Sequence, residues 1–357
     1  MRGSHISQAW RNSGDTTRLE ITVIRPPSPI HLPEWITNGE VAGGRAQRAP
    51  RCVRLRQQPW KLIRGKSECD PHCWASQQWH PAKGRNGYAP LALETGIPDL
   101  IAQAHKSGIG VGALVNVYHF AALWPEVESL ADAGMVGFAC TAFKPSVAPA
   151  GATSPLFGTN PIAFAAPTRR NPPFVLDMAT STVAIGKLAI AKRLGVPIKE
   201  GWALDKNGNS ITDPVIAREA RRLTPLGGSR ELGSHKGYGL AAMVDILSST
   251  LSGAAIVSVS RNEDGEFNLG NVGHFFMAVD PSAIREDDKF SDELDDLIDA
   301  LRATTPADEN QPVLVAGDPE WEAFKTRSVD GIPISEELAK EVQSIAEESG
   351  VAYILTN

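Results

Sequence analysis

From Gly87 onward, short continuous apolar runs alternate with stretches whose apolar residues recur every three or four positions, with Gly or Pro between them. The runs suit buried strands and the periodic stretches suit amphipathic helices, which is the grammar of an α/β chain. Ile97–Lys106 reads as a helix and Gly110–Val115 as a buried strand; a helix around Ala121–Gly134 ends on its glycine. Met135–Cys140, Ile162–Ala165, Phe174–Asp177 and Phe275–Val279 read as strands. Leu240, Met243, Val244, Leu247 and Leu251 fall on one face of a long helix over His235–Leu251. The last 70 residues read as two acidic amphipathic helices. The second is N-capped by Ser335, carries Glu336 and Glu337 in its first turn, lines its inner face with Leu338, Val342 and Ile345, and closes on Gly350. The Pro-rich stretches Pro26–Pro33 and Thr168–Pro173 read as connectors.

Composition divides the chain where the pattern begins. The 357 residues carry a formal charge of −6, but residues 1–86 hold 14 Lys and Arg against 6 Asp and Glu, a local +8, and the rest hold 21 against 35, a local −14. The basic part also holds five of the eight Trp and three of the four Cys, with no Phe or Tyr, an unusual aromatic content for a core-forming segment. Its arginines, Arg45, Arg48, Arg51, Arg54 and Arg56, alternate with Pro, Gln and Cys instead of lining a helix or an aromatic platform, so the reading is no nucleic-acid partner. Cys52, Cys69, Cys73, His72 and His80 offer enough ligand atoms for zinc but lack a second paired knuckle, so the reading is no metal. No apolar stretch is long enough to span a bilayer; the best, around Val244–Val257, is broken by Ser and Gly. Met1-Arg2-Gly3-Ser4-His5 lacks the apolar stretch of a secretory signal and looks more like the start of an expression tag, and Cys140 stands alone in an apolar run. These features place the chain in a reducing cytoplasm, with no membrane partner.

Candidate chemistry is weak block by block. Gly108-x-Gly110-x-Gly112 lacks the third glycine of a dinucleotide fingerprint and runs into a strand instead of opening a helix. Gly227-Gly228 and Gly233-Ser234-His235-Lys236-Gly237 form a Gly-rich entry to the long helix. It reads equally as a phosphate cradle or as a helix start built of small residues with a solvated Lys. His119, beyond the strand that ends near Asn116, is either a packed side chain or a catalytic one. Asp177 ends an apolar strand, where a carboxylate is costly unless a donor, a cation or a histidine that it orients meets it. Thr159-Asn160-Pro161 after Gly158 could hold a substrate carboxylate or simply close a β-turn.

Taken together the blocks are more specific. His119-Phe120-Ala121-Ala122-Leu123-Trp124-Pro125, Leu156–Phe164 with Gly158-Thr159-Asn160-Pro161 at its centre, Val175-Leu176-Asp177-Met178-Ala179-Thr180-Ser181 and Ser234-His235-Lys236-Gly237-Tyr238-Gly239 resemble the type 2 malate/L-lactate dehydrogenase family from Gly87 to the C-terminus. The resemblance implies a non-Rossmann, mixed-sheet α/β fold with accessory helices. It implies a substrate and dimerisation part over residues 87–150 and 281–357, a nicotinamide-binding part over 151–280, and a homodimer. His119 and Asp177 would be catalytic and Thr159 would approach the substrate. His119, Phe120, Ala121, Ala122 and Leu123 would line the cofactor, as would Asp177, Met178, Ala179, Thr180 and Ser181, His235 and Lys236, and the Gly317-Asp318 turn, where Ala316 replaces the usual Pro. The first block is most similar to the reductases of delta-1-piperideine-2-carboxylate and delta-1-pyrroline-2-carboxylate. The implied chemistry is hydride delivery from NADPH or NADH to the C2 carbon of a cyclic ketimine or another imino or 2-oxo acid, with a protonated group supplying the second hydrogen.

The chain departs from the family in two places. Residues 1–86 contain no counterpart of the R-x-D-G-x-x-S-H-G block that carries the family's proton donor, and Ala142-Phe143 stands where relatives often have a polar pair. The expectation is that residues 1–86 are an out-of-frame or fused segment and that the chain binds cofactor weakly and turns over poorly. The competing readings are a malate, L-lactate or ureidoglycolate dehydrogenase of the same family, and a catalytically impaired member that serves in binding or assembly.

Overall fold

The computed structural model describes the backbone of residues 5–7, 22–24, 53–55 and 63–65, and then residues 89–118, 122–256, 259–260, 265, 271–350 and 352–353. The basic segment's Cys and His cluster and the expectation for residues 1–86 lie outside the described residues, apart from two antiparallel pairs of three-residue strands, His5–Ser7 with Thr22–Ile24 and Val53–Leu55 with Ile63–Gly65. The chain divides into two units, residues 39–295 and residues 1–38 with 296–357.

In the larger unit the elements follow the apolar pattern: α1 (Ala89–Ser107), β1 (Ile109–Val117), α2 (Trp124–Asp132), β2 (Val136–Thr141), β3 (Ile162–Ala166), β4 (Phe174–Met178), α3 (Ile185–Leu194), α4 (Pro214–Ala220), α5 (Ser234–Asp245) and β5 (Val272–Val279). The five strands form one sheet in the order β1-β5-β2-β3-β4, every neighbour antiparallel. No pair in that sheet is parallel, so it has no βαβ unit and no Rossmann cofactor crevice, as the incomplete glycine fingerprint foretells. The α/β expectation holds, with strand bounds within three residues of those read from the sequence; the largest difference is at β5, which begins at Val272 and not Phe275.

Burial explains the layering. Leu93, Ile97, Leu100 and Ile101 of α1 and Val127 and Leu130 of α2 bury one face of the sheet with Leu114, Ala139, Ala163 and Phe276. Cys140, Phe275 and Val244 make a smaller core on the other face, under α5. Val147, Leu188, Ala191, Ile198, Ala217 and Leu223 form a third around α3 and α4. Asp295 is fully buried and accepts hydrogen bonds from the Arg169, Arg170 and Asn171 N–H groups and from Asn171 Nδ2, each at 2.8 Å. Burial alone would raise its carboxyl; these donors outweigh it and hold the group at about 2.

Two expectations fail. The helix after Gly233 changes form at Asp245 and continues as a π-helical turn, Ile246–Thr250. Its buried side is Ser234, Gly237, Ala241, Val244, Asp245, Ser248 and Ser249, and Leu251, expected on the inner face, is exposed. The extra residue of a π turn moves the apolar stripe out of phase, and small side chains face inward because neighbouring backbone runs close to the helix. The C-terminal 70 residues contain three helices, α6 (Phe290–Arg302), α7 (Asp318–Asp330) and α8 (Glu336–Ser349), where two were expected. Helix α7 escapes a periodicity search because it buries no residue. Ser335 caps α8 by accepting from Leu338 N–H and Gly350 closes it, but Ile345 is exposed and Ala346 is the buried residue.

Candidate active site

The site starts at the exposed end of β4, the edge strand. Asp177 Oδ2 accepts hydrogen bonds from Leu123 N–H at 2.9 Å and Trp124 N–H at 3.0 Å. The first turn of α2 has no side-chain cap of its own, and Pro125 has no N–H, so a carboxylate 53 residues away in sequence meets the helix's free donors. Asp177 itself is exposed, so the donors orient it and do not compensate a burial. His119, Phe120 and Ala121 lie outside the described residues; Ala122 is exposed and Leu123 is buried.

The chain beyond Asp177 ties the remaining blocks together. Met178 and Ala179 are half-buried, and Thr180 and Ser181 are buried. Thr180 donates from its N–H to Thr159 O at 2.9 Å and from its hydroxyl to Thr159 O at 3.1 Å and Asn160 O at 3.0 Å. Its own carbonyl accepts from Leu226 N–H at 2.9 Å. Thr182 bonds Thr224 O through its N–H and Pro225 O through its hydroxyl. Leu226 in turn lies against Gly237 in the first turn of α5, which exposes His235 and Lys236 beside it. A chain of hydrogen bonds and close contacts therefore links Leu123, Asp177–Ser181, Thr159 and the start of α5 with His235 and Lys236, segments far apart in sequence. The N-cap of α5, Gly233, has φ +94° and no side chain, so Lys236 supplies the charge at that helix start. A helix start with an exposed amine suits the phosphates of a dinucleotide, and these residues fit such a group.

Gly317 and Asp318 belong to the smaller unit. Gly317, at φ +97°, is the N-cap of α7; Asp318 accepts from Val315 N–H at 2.8 Å and from Arg302 Nη2 at 2.6 Å. Its carboxylate is engaged by an arginine and its own turn.

One group escaped the sequence reading. Glu126, in the first turn of α2, has a buried Oε2 with no hydrogen-bond partner. Burial pushes its carboxyl up to about 7, a bond from its own N–H offsets part of this, and the charge of Asp177 adds to the rise. In the sequence a Glu at this place reads as a partner for the helix dipole, and only the fold shows that its oxygen is shut away from water. Between the ordinary carboxylate value near 4.3 and about 7, the folded chain binds a proton that the unfolded chain has lost. Stability from this group is present at low pH and falls through that window. Glu126→Gln should remove that slope and be more stable than the parent above pH 7 by about 2 kcal/mol, allowing for partial exposure of the group. Thermal unfolding of both proteins from pH 5 to 8 reads it; a difference that does not change with pH would refute the assignment.

A family model, malate/L-lactate dehydrogenase, matches residues 74–343. A malate dehydrogenase of Pyrococcus horikoshii is 38% identical over 252 residues, covering 70% of this chain and 69% of its own. A delta-1-pyrroline-2-carboxylate reductase of Ancylobacter novellus is 38% identical over 265 residues, covering 73% of this chain and 74% of its own. Among solved structures, a malate dehydrogenase of Entamoeba histolytica superposes with a TM-score of 0.73 at 27% identity, covering 85% of this chain and 81% of its own.

Proposed function

The chain belongs to the malate/L-lactate dehydrogenase family and is an oxidoreductase, and from that premise we propose that it reduces a cyclic ketimine carboxylate, delta-1-pyrroline- or delta-1-piperideine-2-carboxylate, with NADPH or NADH. The observation that carries the reading is the pair of hydrogen bonds from Leu123 N–H and Trp124 N–H to the Asp177 carboxylate, which joins the ketimine-reductase-like block at 119–125 to the cofactor block at 175–181. The similarity to a curated pyrroline-carboxylate reductase points the same way.

When bound, the nicotinamide supplies a hydride to the C2 carbon, and the imine nitrogen takes a proton. The chain's own residues do the rest. Asp177, oriented by two N–H donors, keeps a fixed negative group at the reacting end of β4, suited to steadying a cation that develops on a ketimine nitrogen. Thr180 sets the direction of the Thr159 peptide, so that the Thr159 hydroxyl can meet the substrate carboxylate. Lys236 and the start of α5 take the cofactor's phosphates. His119 completes the set as the family resemblance implies, and a homodimer is part of the same reading.

Loss of NADPH and of NADH absorbance, each with both cyclic ketimines and with oxaloacetate and pyruvate, tests the proposal. Faster turnover on a ketimine is the expected result. Turnover confined to the open-chain 2-oxo acids would replace the reading with a malate or lactate dehydrogenase, and cofactor binding with no turnover on any of them would favour the impaired member.

A further inference from the structure

We propose that Asp245 is a positioning residue for the substrate loop, acting through Asn160. The inference rests on the reading of Thr159 as a substrate contact. Asn160 is fully buried and holds φ at +38°, in the left-handed region that a non-glycine side chain adopts only when something holds it there. Three contacts hold it. Its Nδ2 donates to Ala241 O and to Asp245 Oδ2, both at 2.9 Å, and its Oδ1 faces Phe143 N–H at 3.4 Å. Meanwhile the Thr159 and Asn160 carbonyls are both taken by Thr180. With two successive carbonyls held from one side and the Asn160 side chain held from the other, the backbone at Thr159 is pinned, and with it the point from which the Thr159 side chain projects.

The anchor on the second side is unusual. Asp245 is nine-tenths buried, at the point where α5 passes into its π turn, and a buried carboxylate is expensive unless it is hydrogen-bonded. Asn160 supplies such a bond, and burial keeps the carboxyl above the usual range despite it. The charge is felt on the other side of the residue too, since burial pushes the Cys140 thiol up to about 12 and Asp245 contributes to the rise. Asp245 follows Lys236 by nine residues, about 14 Å along the same helix. One rigid element therefore presents Lys236 to the cofactor at its start and fixes the substrate loop at its end, and Asp245 with Asn160 is the joint between them.

The test compares Asp245→Ala, Asp245→Asn and Asn160→Gly in the full chain. Glycine accepts the positive φ without strain, so Asn160→Gly removes the side-chain contacts while sparing the backbone. Asp245→Ala and Asn160→Gly should each raise KM for the ketimine and lower kcat, for a combined loss of about thirtyfold, while the NADPH dissociation constant, read by fluorescence, moves less than threefold. The double variant should be no worse than either single one, because both remove the same link. Asp245→Asn still offers an oxygen to Asn160 Nδ2 and should recover most of kcat/KM. Faster hydrogen exchange in the peptide spanning residues 156–161, in the first two variants and not in the third, reads the joint without any turnover. If the parent protein reduces none of the ketimines, the functional reading fails while exchange still tests the joint. Unchanged kcat/KM per folded molecule in both Asp245→Ala and Asn160→Gly, unchanged exchange, or an Asp245→Asn variant as damaged as the alanine one would overturn the proposal.

Discussion

Asp177→Ala should lower kcat/KM for ketimine reduction by a factor of about 100 or more, the scale on which removal of a positioned charged group in an active site is felt. The same change strips two hydrogen bonds from the start of α2, since Leu123 N–H and Trp124 N–H both end on Asp177 Oδ2. Loss of a helix cap of this kind costs about 1 kcal/mol of stability. The two effects separate in Asp177→Asn, whose amide oxygen can still accept both bonds but carries no charge. Its unfolding midpoint should stay near that of the parent while its kcat/KM stays close to that of the alanine variant. An asparagine variant with parental turnover would reduce Asp177 to a helix cap. The substitution also reaches Glu126, because the charge of Asp177 helps to keep that carboxyl up near 7. With the charge gone, the pH window over which Glu126 alters stability should move downward, visible in the same unfolding series.

The sheet was legible in the sequence because its strands are continuous apolar runs with Gly or Pro at their ends, and Ile162–Ala166 or Phe174–Met178 needs no tertiary information to be seen. The blocks around Thr159, Asp177 and Lys236 were legible one by one as weak candidates from their own chemistry, and together with the block around Leu123 they became one site only through their likeness to a family. What joins them was not legible, because each joint pairs a side chain with backbone from a distant segment: Asp177 with the start of α2, Thr180 with the Thr159 and Asn160 carbonyls, Asn160 with Ala241 and Asp245. Nothing in the local pattern around Asp245 distinguishes it from a polar residue on the outside of an amphipathic helix. The same blindness explains α5. Its leucines suggest an inner face by their spacing, yet close packing against neighbouring backbone selects for small residues, a constraint set by another part of the chain.

That constraint makes the Gly237→Ala variant informative. A β-carbon at Gly237 would overlap the backbone N and O of Leu226 and stand 2.8 Å from its Cα. No rotamer can relieve a clash with backbone, so either the start of α5 or the Thr224–Leu226 segment has to move. Forced overpacking of this kind costs about 3 kcal/mol. The second consequence is catalytic, since Leu226 N–H is bonded to Thr180 O and Thr180 orients Thr159, while the start of α5 carries Lys236. A displacement near 1 Å between these groups is worth a loss of about a hundredfold in turnover. Gly239, two residues along the same helix, supplies the control: a β-carbon there meets nothing within 4 Å. Gly239→Ala should therefore gain up to about 1 kcal/mol from helix propensity and leave kcat/KM unchanged. Chemical denaturation and ketimine kinetics on the two variants side by side decide the matter. If Gly237→Ala is as stable and as active as Gly239→Ala, then the close approach of α5 to Leu226 is not what holds the two halves of the site in place.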